Sequence, residues 1–210
     1  MEAFMRPMLR LYLYCALQFW VLMFALMLFI RAHPYDDRAT RQVLLTAGCP
    51  APCFLGIRPG VTTASNAIAL LRNSQWVQPE TIAYTESDYG GGAVWSWNKH
   101  ALPLLGTRQS SFVTTRQNGL QIVDLLHINT LVASGDAYLT LGASAYTAMG
   151  DTGMHNEVYM AWFYPAQGIS VWSDILCPTW SDHVWTRPIA IQFRLTMSRS
   201  ERTSVPGVAC

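Results

Sequence analysis

Residues 11–30 read LYLYCALQFWVLMFALMLFI, a run of twenty residues in which Gln18 is the only strongly polar side chain. A helix of this length rises about 30 Å, the thickness of the hydrocarbon core of a bilayer. Because a helix satisfies its own backbone hydrogen bonds, such a segment is stable in lipid. The sequence therefore predicts a transmembrane helix over residues 11–30, preceded by a short cytoplasmic segment over residues 1–10.

A cleaved signal peptide and a buried core helix are the alternatives to this membrane anchor. The apolar part of a signal peptide is about 7–15 residues long and is followed by small residues at a cleavage site. Here the run is longer, and Arg31-Ala32-His33-Pro34 follows it. A buried helix that is apolar on every side would need a larger core than this chain can supply. We therefore expect an uncleaved signal-anchor in a single-pass protein of the cell membrane.

The flanking arginines do not fix the orientation of this helix, because both flanks carry them. Long domains cross a membrane largely regardless of such charges. The downstream cysteines are better evidence, because disulfide bonds persist in oxidising compartments. We expect the C-terminal domain to lie outside the cytoplasm.

The remainder of the 210-residue chain is long enough for one domain of ordinary size. We expect a polar stalk over residues 31–47, an extracytoplasmic domain over residues 48–197 and a flexible tail over residues 198–210. The net charge is +1, which gives a nucleic-acid partner no electrostatic basis.

Three of the five cysteines, Cys49, Cys53 and Cys177, belong to the expected domain. In an oxidising compartment one pair of them forms a disulfide bond and leaves one thiol free. A Cys53–Cys177 bond is the first choice and a Cys49–Cys177 bond the second. A zinc site that adds His183 to the three cysteines is a weaker alternative, because this spacing matches no standard zinc motif.

Residues 63–73 carry apolar side chains at helical spacing, and Thr62 or Thr63 can cap the helix that they predict. A second helix is predicted over residues 135–141, with Ser134 as its cap and Gly142 as its end. Both helices are short and amphipathic, so we expect each to pack one face on a sheet.

Strands are predicted for most of the remaining domain. Asn118-Gly119 between two strand-like segments is a strong hairpin signal. Residues 189–196 alternate apolar and polar side chains, as in a half-buried strand. Residues 90–92, three successive glycines, are expected to be a flexible separator. Other strands are predicted over residues 81–85, 93–97, 110–115, 120–128, 158–164 and 169–175. The order predicts an α+β domain with short helices on one face of an antiparallel sheet.

Residues 56–63, GIRPGVTT, with the apolar helix after them, resemble the opening of SmpA/OmlA-type and beta-lactamase-inhibitor-like envelope modules. In those families an I-x-x-G-M-T phrase starts a helix that packs on a sheet. Residues 134–143 look like a decayed second copy. The string PCFLGIRPG at residues 52–60 also resembles one in Chloroflexota-type single-pass membrane proteins with a PC-x-x-GI-x-PG-x-T motif. The resemblance implies a fold and is nearly silent about function, because turn and core residues carry it. The chain departs from the SmpA/OmlA group in its longer helix and in lacking the lipidated cysteine.

No catalytic signature is present. The sequence lacks G-x-S-x-G, H-E-x-x-H, phosphate-binding and dinucleotide-binding motifs. His127 lies in an apolar strand, where a core histidine is commoner than a ligand. The run GDTG at residues 150–153 resembles one half of an aspartic-protease site, but no second copy exists, so a turn is favoured. We expect no enzyme activity, no cofactor and no metal.

Seven of the eight tryptophans lie outside the apolar run. Most of them are expected to fill the core, and an exposed subset would bind a partner. The candidates for such an interface are Trp95, Trp97, Trp162 and Trp172. The function predicted from these features is a membrane-anchored interaction module, an accessory or assembly subunit of an envelope or membrane protein complex. The alternative is a sensory ectodomain that binds a small molecule in an aromatic-lined pocket.

Overall fold

A computed structural model describes residues 2–32, 35–45, 48–88, 90–99, 101, 103–151, 157–176 and 181–195. The chain divides into two compact units, Met1–Asp36 and Asp37–Cys210. The predicted flexible tail over residues 198–210 lies outside the described residues.

The first unit is one helix, α1, Glu2–Ala32. Within it the segment Tyr12–Ala32 has a mean hydropathy of 2.2, so by length and composition it could cross a membrane. This segment is 0% buried. The apolar helix predicted over residues 11–30 is confirmed.

The second unit contains short helices and an eight-stranded sheet. Its helices are α2 (Arg38–Leu44), α3 (Ala64–Asn73), α4 (Ser134–Leu141) and α5 (Ser181–Thr186), with one 3₁₀ turn at Pro79–Thr81. Its strands are β1 (Ala83–Glu86), β2 (Gly90–Trp95), β3 (Ser110–Gln117), β4 (Leu120–Ala133), β5 (Tyr146–Asp151), β6 (Glu157–Tyr164), β7 (Ile169–Leu176) and β8 (Pro188–Arg194).

The strands lie in the order β1-β2-β3-β4-β8-β7-β6-β5, and every neighbouring pair is antiparallel. The sheet therefore consists of two four-stranded meanders joined where β4 pairs with β8. Helices α2, α3 and α4 place Leu44, Leu71 and Ala137 in the same hydrophobic cluster as Phe112 and Ile191 of the sheet. The predicted α+β class, with short helices on an antiparallel sheet, is confirmed.

The start of α3 shows how local sequence fixes one helix to the sheet. Thr63 caps α3, and its side chain accepts a hydrogen bond from the Asn66 amide at 3.3 Å. Just before the cap, the Gly60 amide donates to the Val123 carbonyl at 2.7 Å, and the Val123 amide donates to the Thr62 carbonyl at 2.9 Å. Residues 56–63 thus join α3 to β4.

The predicted stalk is corrected by the structure. Residues 38–44 form α2, and Thr40, Val43 and Leu44 are buried in the domain. These positions are three and four apart, so they share one face of a helix. The domain accordingly begins near Asp37 rather than at residue 48.

The predicted disulfide bonds to Cys177 are also corrected. Cys49 is bonded to Cys53, with their Cα atoms 5.9 Å apart. The intervening turn contains Pro50 and Pro52, which brings the two side chains together locally. The disulfide bond therefore closes a short local loop and not the long loop of a Cys53–Cys177 bond. Cys177 itself lies outside the described residues.

The three glycines at residues 90–92 are the start of β2 rather than a flexible separator. A Cβ atom at Gly90 would overlap the Thr114 carbonyl, and one at Gly92 would lie 3.0 Å from the Phe112 carbonyl. The absence of side chains therefore lets β2 approach β3 closely.

The start of the second predicted helix also differs from the prediction. Helix α4 begins at Ser134 itself, and the Ser134 hydroxyl donates to the Val184 carbonyl instead of capping the helix.

We predict that Gly168→Ala destabilises the domain more than Gly119→Ala. Both glycines lie in hairpin turns with positive φ, at 63° and 81°. A Cβ atom at Gly168 would lie 2.8 Å from the Arg194 carbonyl and against Pro52, whereas nothing lies within 4 Å at Gly119. The conformational cost of about 1–2 kcal/mol applies to both variants, and about 1–3 kcal/mol of overpacking applies only at Gly168. Denaturant unfolding of the two variants measures this difference, and equal stabilities would contradict the packing at Gly168.

Candidate functional site

The register of the sheet gives it two distinct faces. The inner face contacts the helices, as described above. We call the opposite side the outer face. It carries alternate residues of the same strands, such as the cross-strand pairs Ser111–His127 and Ala161–Trp172. Among the described residues, the hydrophobic cluster on this face is built from β5, β6 and β7 alone.

The outer face carries a group of four aromatic side chains, which we call the outer aromatic cluster: Tyr146, Tyr159, Phe163 and Trp172. Tyr146 stacks on Phe163 with ring centroids 4.5 Å apart and an interplanar angle of 14°. Trp172 meets Phe163 edge to face at 5.9 Å and lies 5.2 Å from Tyr159. Phe163 is only 2% exposed, and both Tyr146 and Trp172 pack against its ring.

Small residues in β5 and β6 make this arrangement possible. Ala148 and Ala161 are cross-strand partners beneath the rings. Gly150 is the partner of Tyr159, and the Tyr159 ring lies where a Gly150 side chain would be. An aromatic ring that covers a strand glycine protects the backbone at that position. Gly150 and Asp151 therefore belong to β5, and not to the predicted turn, whose other two residues lie outside the described ones.

Polar side chains continue the outer face beyond the cluster. A row crosses four strands by direct register, from Ser111 through His127 and Gln192 to Ser170. Gln192 Nε2 lies 3.4 Å from His127 Nδ1, and Ser170 Oγ accepts a hydrogen bond from Trp172 Nε1 at 2.9 Å. The face thus combines apolar rings with hydrogen-bonding groups at their border.

Burial lowers the pKa of His127, and this effect exceeds the opposite effects of its hydrogen bond with Asn129 and of the charge on Asp174. The neutral imidazole is therefore favoured in the folded domain. Of the five histidines, the structure describes the side chain of His127 alone; His33, His100 and His155 lie outside the described residues, as does the His183 side chain.

The structure places the four candidate interface tryptophans in two different environments. Trp95, Trp97 and Trp162 are 0%, 8% and 9% exposed and belong to the inner core. Trp97 Nε1 donates to Ser110 Oγ at 3.1 Å, and the Trp97 ring packs edge to face on Trp95. These three are therefore core residues and form no exposed strip, which corrects their assignment as interface candidates. Trp172 is half-buried in the outer aromatic cluster.

Two recessed regions bear on the alternative of an aromatic-lined pocket. A groove of about 440 Å³ lies beside α3 and is lined by Asn66, Leu70 and Asn73 among others. A cavity of about 80 Å³ lies between the disulfide loop and the sheet, against Ile169 and Phe193. Neither is lined by a tryptophan, so these two cavities give no support to a small-molecule site of that kind.

The zinc alternative loses two ligands, because Cys49 and Cys53 are bonded to each other. Cys177 and the His183 side chain lie outside the described residues. Over the part of the chain that the structure describes, no group of three or more His, Cys, Asp or Glu side chains could hold a metal ion.

The residues that matter most on the outer face, Tyr146, Tyr159 and Phe163, were missed in the sequence. Strand β5 was not predicted at all, because Ala148 and Gly150, which share a face with Tyr146, carry little or no side-chain bulk. A pattern in the sequence could have identified it. At alternate positions, both residues 146–150 and residues 159–163 carry aromatic and small side chains.

No protein-family model, curated protein or solved structure matches the chain. The resemblance to SmpA/OmlA-type modules and to Chloroflexota-type membrane proteins stays a prediction.

We predict that His127→Gln reduces the loss of stability on acidification. A folded pKa below the unfolded value of about 6.5 favours the neutral form on folding. The wild-type domain therefore has the full contribution of His127 above the unfolded pKa and loses it as the pH falls through the folded pKa. Glutamine cannot be protonated, so the variant lacks this part of the pH dependence. Urea unfolding between about pH 8 and pH 5 measures it; parallel curves for the two proteins would contradict a buried, neutral His127.

Proposed function

We propose that this chain is a single-pass membrane protein whose extracytoplasmic α+β domain binds another membrane or envelope protein, as an accessory or assembly subunit. The observation that carries the proposal is the outer aromatic cluster on the sheet face opposite the helices.

The anchor rests on α1. Its apolar segment Tyr12–Ala32 is long enough for the hydrocarbon core, and its side chains are exposed on all sides. Exposed leucine, phenylalanine and valine over a whole helix are costly in water and favourable in lipid. Retention of this helix makes the protein a signal-anchored one.

The compartment follows from the Cys49–Cys53 bond. Disulfide bonds persist outside the cytoplasm, where glutathione and thioredoxin do not reduce them. A domain that carries such a bond is therefore expected on the extracytoplasmic side of the membrane.

The binding surface combines features that are typical of protein interfaces. Aromatic residues are enriched in interface cores, and polar groups surround them at the rim. Here Trp172, Tyr159 and Tyr146 are partly exposed and pack against the buried cluster of Phe163, Ala148 and Ala161. Asp174, the cross-strand partner of Tyr159, lies beside them and is exposed. A partner that covers the rings would bury apolar area and leave the polar border in water.

The proposal is tested by site-specific photo-crosslinking of the full chain in its native membrane. A benzophenone amino acid at Tyr159 is expected to give a crosslink to a different membrane or envelope protein. The same group at Val113, which is 47% exposed on the other half of the outer face, is the matched control. Equal crosslinking at both positions, or none at either, would contradict a partner site at the cluster.

Two substitutions test the contribution of the cluster itself. We expect Trp172→Ala to weaken partner binding at least about tenfold, or about 1.4 kcal/mol, because buried aromatic anchors dominate interfaces. Asp174→Arg is expected to weaken binding while it leaves the rings in place, and Asp88→Arg, in the distant β1–β2 turn, is not. Affinity measurements on the co-purified complex, with melting curves to verify folding, check both expectations. Unchanged affinity in folded Trp172→Ala and Asp174→Arg variants would contradict the assigned surface.

A further inference from the structure

A second exposed apolar surface lies on α4 and α5. We define the α4–α5 patch as Tyr138, Leu139 and Trp185, which are 39%, 63% and 46% exposed. Tyr138 and Trp185 meet edge to face with ring centroids 5.5 Å apart. Tyr138 and Leu139 follow Gly135 by three and four positions, so these three residues share one side of α4. The Trp185 side chain packs over Gly135.

The two short helices that carry the patch are fixed to each other. The Ser134 hydroxyl donates to the Val184 carbonyl, and the Ser134 amide donates to the Arg187 carbonyl at 3.0 Å. On the inner side Ala137 is buried in the main core, and Val184 packs against it. The patch is therefore a preformed surface, and its exposed side chains are not part of the core.

The chain between α1 and α2 limits how far this surface can lie from the end of α1. Helix α1 ends at Ala32 and α2 begins at Arg38, so six peptide steps separate them. A fully extended chain of that length spans about 20 Å. Helix α4 packs against α2. The limit applies to the start of α2, one helix away from the patch, and it holds for any orientation of the domain.

We propose that the α4–α5 patch inserts into the headgroup region of the same bilayer that holds α1. This inference rests on the membrane anchor of the proposed function and adds a second membrane contact to it. The patch is a lipid contact and is separate from the outer aromatic cluster, which is assigned to a protein partner.

The composition of the patch fits a bilayer interface. Tryptophan and tyrosine are enriched at the headgroup level, where the ring is in a partly apolar region and its polar atom can bind water or lipid. Within the described residues, neither the Tyr138 hydroxyl nor Trp185 Nε1 has a hydrogen-bond partner in the domain. Leu139 would add apolar area beneath them. Such a contact is weak alone, but the covalent tether raises the effective concentration of the membrane surface.

The test uses the full chain reconstituted in phosphatidylcholine vesicles that carry a nitroxide quencher at one of two depths. One lipid has the nitroxide near the headgroup, and the other has it near the end of the acyl chain. The emission of Trp185 is taken as the difference between wild type and Trp185→Phe. The emission of Trp20, within the apolar span, is taken likewise from Trp20→Phe. We expect the shallow quencher to remove most of the Trp185 emission and the deep quencher to remove most of the Trp20 emission.

Matched leucine variants identify the patch as the cause. Leu139→Glu is expected to abolish the shallow quenching of Trp185, and Leu120→Glu is expected to leave it unchanged. Leu120 is 57% exposed and lies at the opposite end of β4 from α4, about 40 Å along the strand. If Trp20 is quenched and Trp185 is not, the anchor stands and the inference is overturned; a patch covered by a second copy would give this result. If Trp20 is not quenched either, the anchor itself is wrong.

Discussion

The pairing of β4 with β8 is the interaction on which the domain depends. It joins two meanders that are each continuous in sequence, and its register runs from Leu125–Arg194 to Ala133–Pro188. Along it the pairs Leu126–Phe193 and Ile128–Ile191 bury four side chains on the inner face. Because side chains alternate along a strand, this one register decides which residues of both meanders face the helices. If one of the two strands slipped by one residue, its two side chains among these four would move to the outer face.

The division into two faces then explains where functional surface can lie. Helices cover the inner face, so its tryptophans stabilise the fold and cannot bind a partner without unfolding. On the outer face the hydrophobic cluster of the described residues comes from β5, β6 and β7 alone, and its rings protect one another there. Partial mutual burial makes the cluster stable in water, while the remaining exposed area is available to a protein. The α4–α5 patch is different, because its side chains come from two short helices and not from the sheet, and α4 packs against α2 near the start of the domain.

Much of the fold could be predicted from local patterns. The alternation around Ile191 identified β8, Asn118-Gly119 identified the β3–β4 hairpin, and the two cap candidates Thr62 and Thr63 identified the start of α3. Each of these signals acts through neighbours in sequence, which is why it can be seen without the structure. The apolar segment of α1 was equally clear, because lipid imposes a length and a composition on any helix that crosses it.

The site could not be predicted in the same way, because it depends on which strands meet. Trp162 and Trp172 are similar in sequence context, yet register places Trp162 on the inner face and Trp172 on the outer one. The three glycines of β2 suggested flexibility, although their function is a close approach to β3. The cysteine partners were wrong for a related reason. Loop-closure arguments favour a distant partner, whereas the turn at Pro50 and Pro52 brings Cys49 to Cys53 directly.

The proposed function requires that α1 is retained as an anchor and that the domain is oxidised outside the cytoplasm. The most direct measurement is the intact mass of the membrane-extracted protein, denatured without reduction and alkylated. The account predicts a chain that still contains residues 11–30 and in which at least two cysteines resist alkylation; a mature chain that begins after this segment, or one in which all five cysteines are alkylated, would contradict it.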